Sequence, residues 1–310
     1  MTTAILFPGQ GAQTVGMGKD VHDALPAARD LFRQASDILG FDLARLCFEG
    51  PAEELTRTDV SQPAILVASL AALEAVKARR PEWLADVAGT AGLSLGEYTA
   101  LVFAGALTFA EAVWLVQQRG KAMQQACETN PGTMASILGL DAAKVEEACA
   151  HARGRGLGTL VSANLNCPGQ VVISGTKPAV EAATAKAKEL GARRAIPLAV
   201  AGAFHSPLMA PAQAALNRAL GDVLITRARV PVWSNVTAGP MREPDEIRRL
   251  LGDQVVSPVR WEDAMRGLVA AGVTRVVEVG PGGVLTGLMK KIDASVETRN
   301  VATLKDLEAA

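Results

Sequence analysis

The sequence predicts an α/β protein in which a smaller unit interrupts a larger one, and three observations carry that expectation. Across residues 85–106 an apolar run passes through a glycine-flanked turn into a helical stretch, the strand–turn–helix join of a parallel sheet. Hydrophobic residues make up 49% of the 310 but aromatics only 4%, so the core must be packed mainly with Ala, Val, Leu and Ile. Between about residues 132 and 200 the strand and helix signals follow the order βαββαβ, a compact unit set inside the longer alternation.

Taken along the chain, the first strand is the apolar run Ala4 to Phe7, and the turn-rich Pro8-Gly9-Gln10-Gly11-Ala12-Gln13 leaves its carboxyl end. In open α/β sheets ligands gather at that edge. Helical stretches continue to about Lys77; within them Pro63 to Val76, rich in Ala and Leu, reads as a buried helix. Ala85 to Ala91 supplies the next strand and Glu97 to Ala106 the helix after it. Another helix spans Thr108 to Cys127, with Thr108 as its cap three residues before Glu111. The smaller unit then reads as strand Thr133 to Leu140, helix Ala142 to Ala152, strands Thr159 to Asn164 and Gln170 to Ser174, helix Pro178 to Leu190 and strand Arg194 to Val200. That order is the ferredoxin-like arrangement, which buries one sheet face under two helices. The large unit is therefore expected over 1–130 and 203–310 and the small one over 131–202. Alternation resumes afterwards and ends with strand Arg275 to Val279, feeding the loop Gly280-Pro281-Gly282-Gly283.

Net charge is −1, so nothing general attracts nucleic acid or an anionic membrane; neither is expected as a partner. Cysteines 47, 127, 149 and 167 form no Cys-x-x-Cys pair and no histidine stands at ligand spacing from them, so no metal site is expected. The N-terminal residues Met1 to Pro8 show neither a basic nor a long apolar signal region, and no segment has roughly 18 uninterrupted apolar residues. A soluble cytoplasmic protein is expected.

Gly92-Leu93-Ser94-Leu95-Gly96 reads as a nucleophile elbow, which thrusts the Ser94 hydroxyl above the sheet while its two glycines relieve the close strand–helix crossing. The bland alternative is a tight connection whose serine caps the following helix. A serine needs a base, and the chain has three histidines. His22 lies in a polar helical stretch and His151 near a helix end, each most simply a surface residue. His205 follows Ala201-Gly202-Ala203 at the junction of the two units, a position suited to a cleft wall. No Asp or Glu stands out as a third member, so the second imidazole nitrogen is expected to donate to a backbone carbonyl. The Leu95 N–H is one expected donor to an oxyanion, and Gln10 or a neighbouring amide of the first loop the other.

These stretches resemble the malonyl-CoA:acyl-carrier-protein transacylases and the acyltransferase domains of polyketide synthases. The likeness spans nearly the whole chain: Phe7-Pro8-Gly9-Gln10-Gly11-Ala12-Gln13, Ser61-Gln62-Pro63-Ala64, the elbow with Gly96-Glu97-Tyr98, Gln118-Arg119-Gly120, the run Asn166 to Gly175, Phe204-His205-Ser206 and Ser257 to Trp261. It implies an α/β-hydrolase-like large domain carrying a ferredoxin-like subdomain. It implies that Ser94 is acylated, that His205 is the base, and that Gln10 and Leu95 form the oxyanion site. Arg119 becomes a carboxylate clamp, Gln62 a substrate-site residue, and Gln254 the neighbourhood that holds the histidine. Read from its helix alone, beside Gln117, Gln118 and Lys121, Arg119 is simply a surface arginine. Phe204 resembles malonyl-selective members, in which a bulky ring fills the space of an α-methyl branch.

The resemblance implies malonyl-CoA as substrate, no permanently bound cofactor, and an acyl carrier protein as partner in fatty-acid or polyketide synthesis. Leu93 departs from the family pattern, in which histidine usually precedes the serine; this bears on acyl preference and leaves the base and the turn glycines in place. Two alternatives stand beside transfer: a serine esterase or thioesterase delivering the acyl group to water, and a noncatalytic carrier-docking module. Arg193-Arg194 and Lys290-Lys291 are candidate basic patches for an acidic carrier, or simply solvated pairs.

Overall fold

The structure is a computed structural model, and it describes residues 1–308. Ten strands follow in chain order. They are β1 Thr3–Phe7, β2 Val87–Gly92, β3 Thr133–Leu138, β4 Leu160–Cys167, β5 Gln170–Gly175, β6 Arg194–Pro197, β7 Val232–Trp233, β8 Pro240–Met241, β9 Arg275–Val279 and β10 Glu297–Val301. The larger sheet runs β10-β9-β1-β2-β7-β8, parallel except for the β7–β8 hairpin. β1 is buried at every residue, as befits a central parallel strand covered on both faces. The register sets Phe7 opposite Gly92, so the loop after β1 and the turn after β2 leave the same sheet edge side by side.

Helix Thr58–Arg79 matches a membrane span in length and hydropathy, and 89% of its most apolar stretch is buried inside the fold. It packs against helix Phe109–Thr129, whose start is fixed by the expected capping box of Thr108 and Glu111. The serine turn is as tight as its glycines require. A Cβ on Gly92 would lie 1.9 Å from the Gly96 carbonyl carbon, and one on Gly96 would lie 2.1 Å from the Phe7 oxygen.

The smaller sheet runs β4-β5-β3-β6 with every pairing antiparallel, and helices Ala142–Gly154 and Lys177–Glu189 cover one face. Alternation along the strands sends Ala135 and Ile173 beneath those helices, while Met134 and Val172 face the larger unit. Two expected strands are shorter than their apolar runs. β3 stops at Leu138 because Gly139 turns with φ +90°, its N–H donating to the Gly169 oxygen. β6 stops at Pro197: the Leu198 N–H still reaches the Met134 oxygen, then Val200 folds back onto the Leu198 oxygen. The small sheet is tied to the larger unit by a parallel bridge between Asn164 of β4 and Val259, in the loop before helix Trp261–Ala270, with Leu165 N–H donating to Val259 O and Val259 N–H to Ala163 O.

Candidate active site

A cavity of about 480 Å³ opens between the two units, lined by the loop after β1, the serine turn, Met134 and Val172 of the small sheet, and Phe204 and His205. Ser94 projects into it from backbone in the left-handed region, φ 51°, a conformation that L side chains adopt only when their surroundings impose it. This excludes the capping alternative, because Leu95 occupies the cap position of helix Gly96–Phe103 and the Ser94 hydroxyl turns elsewhere. Its Oγ lies 2.8 Å from His205 Nε2.

His205 is buried and also left-handed, φ 56°. Its Nδ1 is 2.9 Å from the Gln254 carbonyl oxygen, which only accepts, so Nδ1 carries the hydrogen and neutral Nε2 is left to accept from Ser94. Burial, then the charge of Arg119, depresses the imidazole to about 4, against the opposing pull of the Gln254 and Ser257 backbone. His22 and His151 lie outside the cavity lining; His22 packs against the touching Phe32 and Phe48 rings, and His151 is exposed.

Arg119 corrects the surface assignment drawn from its helix: it is 1% exposed. Nη1 donates to Gln62 Oε1 at 2.7 Å, and Nη2 to Gln254 Oε1 at 2.9 Å and to Ser94 Oγ at 3.0 Å. The guanidinium lies 5.4 Å from the Tyr98 ring centroid, and Nε has no partner. No carboxylate forms an ion pair with it among the described residues. Neither Gln62 nor Arg119 is among the residues lining the cavity: Arg119 meets it through the Ser94 hydroxyl, and Gln62, fully buried, contacts Arg119 and Met123. Phe204 forms part of the wall and is buried. The Leu95 and Gln10 amides donate to no protein group among the described residues, and the Gln10 side chain reaches Thr58 Oγ1 at 3.5 Å.

Two residues of this network escaped the sequence reading. Glu97 looked like an ordinary acid in the first turn of a helix, yet it is fully buried and accepts from Gln254 Nε2 and the Asn235 N–H. Burial pushes its carboxyl up to about 8, against the opposing effects of Gln254, Asn235 and Arg119. Asn235, just past β7, bonds to the backbone of Gly92 and Ser94. Its place at the carboxyl edge of the sheet appears only once β7 is paired beside β2, so no local sequence signal marks it. Among the described residues no three His, Cys, Asp or Glu side chains gather as a metal site.

The family model described as an acyl transferase domain matches residues 5–305. The malonyl CoA-acyl carrier protein transacylase of Bacillus subtilis is 48% identical over 99% of this chain and 95% of its own. The chain belongs to the malonyl-CoA:acyl-carrier-protein transacylase family. Two solved structures place the family's fold on this chain. An acyl carrier protein S-malonyltransferase from Vibrio cholerae superposes with a TM-score of 0.94 at 41% identity, covering 100% of this chain and 99% of that one. A malonyl-transacylase solved in complex with its type II PKS acyl-carrier protein gives 0.95 at 40% identity, covering 100% and 99%. The mixed α/β architecture is thus shared with the family over its full length.

Proposed function

We propose that this chain transfers a malonyl group from malonyl-CoA to the phosphopantetheine thiol of an acyl carrier protein through an ester on Ser94. Ser94 Oγ attacks the thioester carbonyl while His205 Nε2 takes its proton, and the Leu95 and Gln10 amides receive the developing oxyanion. The C–S bond then breaks, and the coenzyme A thiolate leaves with that proton. In the second half-reaction the carrier thiol gives its proton to His205 and attacks the ester carbonyl, and Ser94 Oγ departs reprotonated. The serine carries the acyl group between two thiols, so no bound cofactor is required.

The observation that carries this reading is Arg119, a buried guanidinium 3.0 Å from Ser94 Oγ with no carboxylate paired to it. A buried charge hydrogen-bonded only to neutral groups is costly, Glu97 acting on it without direct contact, and a dicarboxylic acyl group on Ser94 would supply a direct partner. Gln62 and Gln254 hold the fork from two sides. Phe204 is read as the wall that excludes an α-branched acyl group.

The larger unit, 1–130 and 203–310, is read as α/β-hydrolase-like, supported by the parallel sheet and its serine elbow; 131–202 is read as ferredoxin-like, supported by the strand order β4-β5-β3-β6. A cytoplasmic location fits four buried cysteines that are all free. Labelled malonyl-CoA tests the function. Wild type is expected to hold label on Ser94 and pass it to a holo carrier protein, and Ser94→Ala to hold none. Release to water with no carrier transfer would favour a thioesterase, and label kept on Ser94→Ala would remove the nucleophile.

A further inference from the structure

The acyl-transfer steps leave Asn235 without a part, although it is buried beside the nucleophile. Its single planar amide spans the serine turn: Oδ1 accepts from the Ser94 N–H at 2.7 Å, and Nδ2 donates to the Gly92 oxygen at 2.8 Å. These bonds close over backbone whose left-handed conformation at Ser94 is unfavourable for any L residue. Asn235 is itself anchored, its N–H donating to Glu97 Oε1 at 3.3 Å. The other Glu97 oxygen accepts from Gln254 Nε2, which also donates to the Ser94 oxygen at 2.9 Å, and the Gln254 carbonyl accepts from His205. The nucleophile turn and the base's acceptor are therefore joined through one set of buried side chains.

We infer that Asn235 is a positioning residue, holding Ser94 in its strained backbone so that Oγ points at His205 Nε2. The turn needs a donor and an acceptor together in one short side chain. Asparagine supplies both; aspartate of the same shape presents a second acceptor to the Gly92 oxygen until it is protonated. Without the bracket, the Ser94 N–H and Gly92 oxygen lose their partners, and the turn relaxes away from φ 51°. Oγ then leaves its 2.8 Å contact, while Arg119 and the cavity wall, which bind the acyl group, stay in place.

The test rests on the acyl-Ser94 reading and compares wild type, Asn235→Ala and Asn235→Asp in single-turnover labelling by malonyl-CoA. A displacement of about 1 Å is expected to lower the acylation rate on the order of 10²-fold. The malonyl-CoA concentration at half-saturation is expected to stay within about threefold, the split that separates positioning from binding. Glu97, Arg119 and His205 face this cluster, and Glu97, at about 8, gains its own proton across the same range, so Asn235→Ala, which adds no carboxyl, is followed over that range as the control. Position 235 is 1% exposed, and burial raises a carboxyl placed there above the usual carboxylate range. For Asn235→Asp, and not for Asn235→Ala, the ratio to wild type is therefore expected to recover between pH 8 and pH 5 as the introduced carboxyl gains a proton to donate. A rate equal to wild type, weakened binding at an unchanged rate, or a pH-independent deficit in Asn235→Asp would each overturn the proposal. If Asn235→Ala fails to fold, Asn235→Asp decides; if that too is unfolded at both pH values, the residue is structural and the proposal falls. Absence of label on wild type would instead overturn the acyl-transfer reading.

Discussion

Arg119, read as the carboxylate clamp, would divide binding from chemistry. Its fork is fixed by Gln62 and Gln254 before any substrate arrives, so little ordering remains when a carboxylate replaces the Ser94 hydroxyl at Nη2. Arg119→Ala is expected to lose about 1.5 to 3 kcal/mol of malonyl recognition, roughly ten- to a hundredfold in rate, while acetyl transfer holds or rises. The ratio of acylation rates with malonyl-CoA and acetyl-CoA measures this, and an unchanged ratio would remove the clamp. His205 sets a second expectation. Because burial and the Arg119 charge depress it to about 4, the imidazole stays neutral and able to accept a proton well below the pH at which a solvated histidine is half charged. The acid limb of kcat/KM for malonyl-CoA should fall near pH 4, with no inflection near 6.5; a limb at the ordinary value would assign it to another group. The same depressed group stabilises the fold above its unfolded pKa near 6.5, and that contribution is lost progressively as pH falls toward 4.

The strand β2, the serine turn and helix Gly96–Phe103 form the element on which the site depends, and it was readable from local signals alone. Two glycines four apart, an apolar run before them and a helical pattern after them require no distant contact to be recognised. The same holds for the small sheet, whose strand and helix alternation is local; only its strand ends shifted, where Gly139 and Leu198 turn the backbone. Burial of Arg119 was hidden because its reasons lie elsewhere: Gln62 and Gln254 come from helices 57 and 135 residues away. Asn235 was hidden likewise, 141 residues from the serine it holds. A hydrophobic period reports which face of a helix is buried, not a buried polar network assembled from three segments. The turn itself makes a prediction. In Gly96→Ala the new methyl meets the Phe7 oxygen at 2.1 Å, so strand or helix must yield, at about 1 to 3 kcal/mol of stability. Acylation is expected to drop more steeply than stability, because the elbow carries Ser94. Gly221→Ala, where nothing lies within 4 Å, serves as the comparison, and equal behaviour of the two variants in melting and labelling would refute the argument.

At the scale of the whole molecule, the cavity exists because the face of the small sheet left free by its helices meets the carboxyl edge of the larger sheet. Met134 and Val172 present one wall, the loops at the carboxyl edge of the larger sheet present the other, and the Asn164–Val259 bridge holds them in register. The helices thus stay on the outer face of the small sheet and the chemistry stays between the units. Both thiol substrates must reach Ser94 through this shared opening, but only the carrier brings a protein surface. Of the two basic pairs, Arg193 and Arg194 are exposed at the edge strand β6, with Arg193 lying over Gly139. Lys290 and Lys291 are exposed at the end of helix Val284–Ile292, and Lys291 Nζ lies 3.3 Å from Gln170 Oε1 of the small sheet, so this pair straddles the seam. Lys290→Glu is therefore expected to slow transfer from malonyl-Ser94 to an acidic carrier while leaving acylation by malonyl-CoA near normal. Charges at the rim of an interface act mainly on association rate, so the deficit should shrink as salt rises and screening shortens to about 8 Å at physiological ionic strength. In the proposed double-displacement route the two half-reactions are separately measurable. Equal loss in both would assign Lys290 to the coenzyme A phosphates, and loss confined to Arg194→Glu would move carrier docking to the β6 edge.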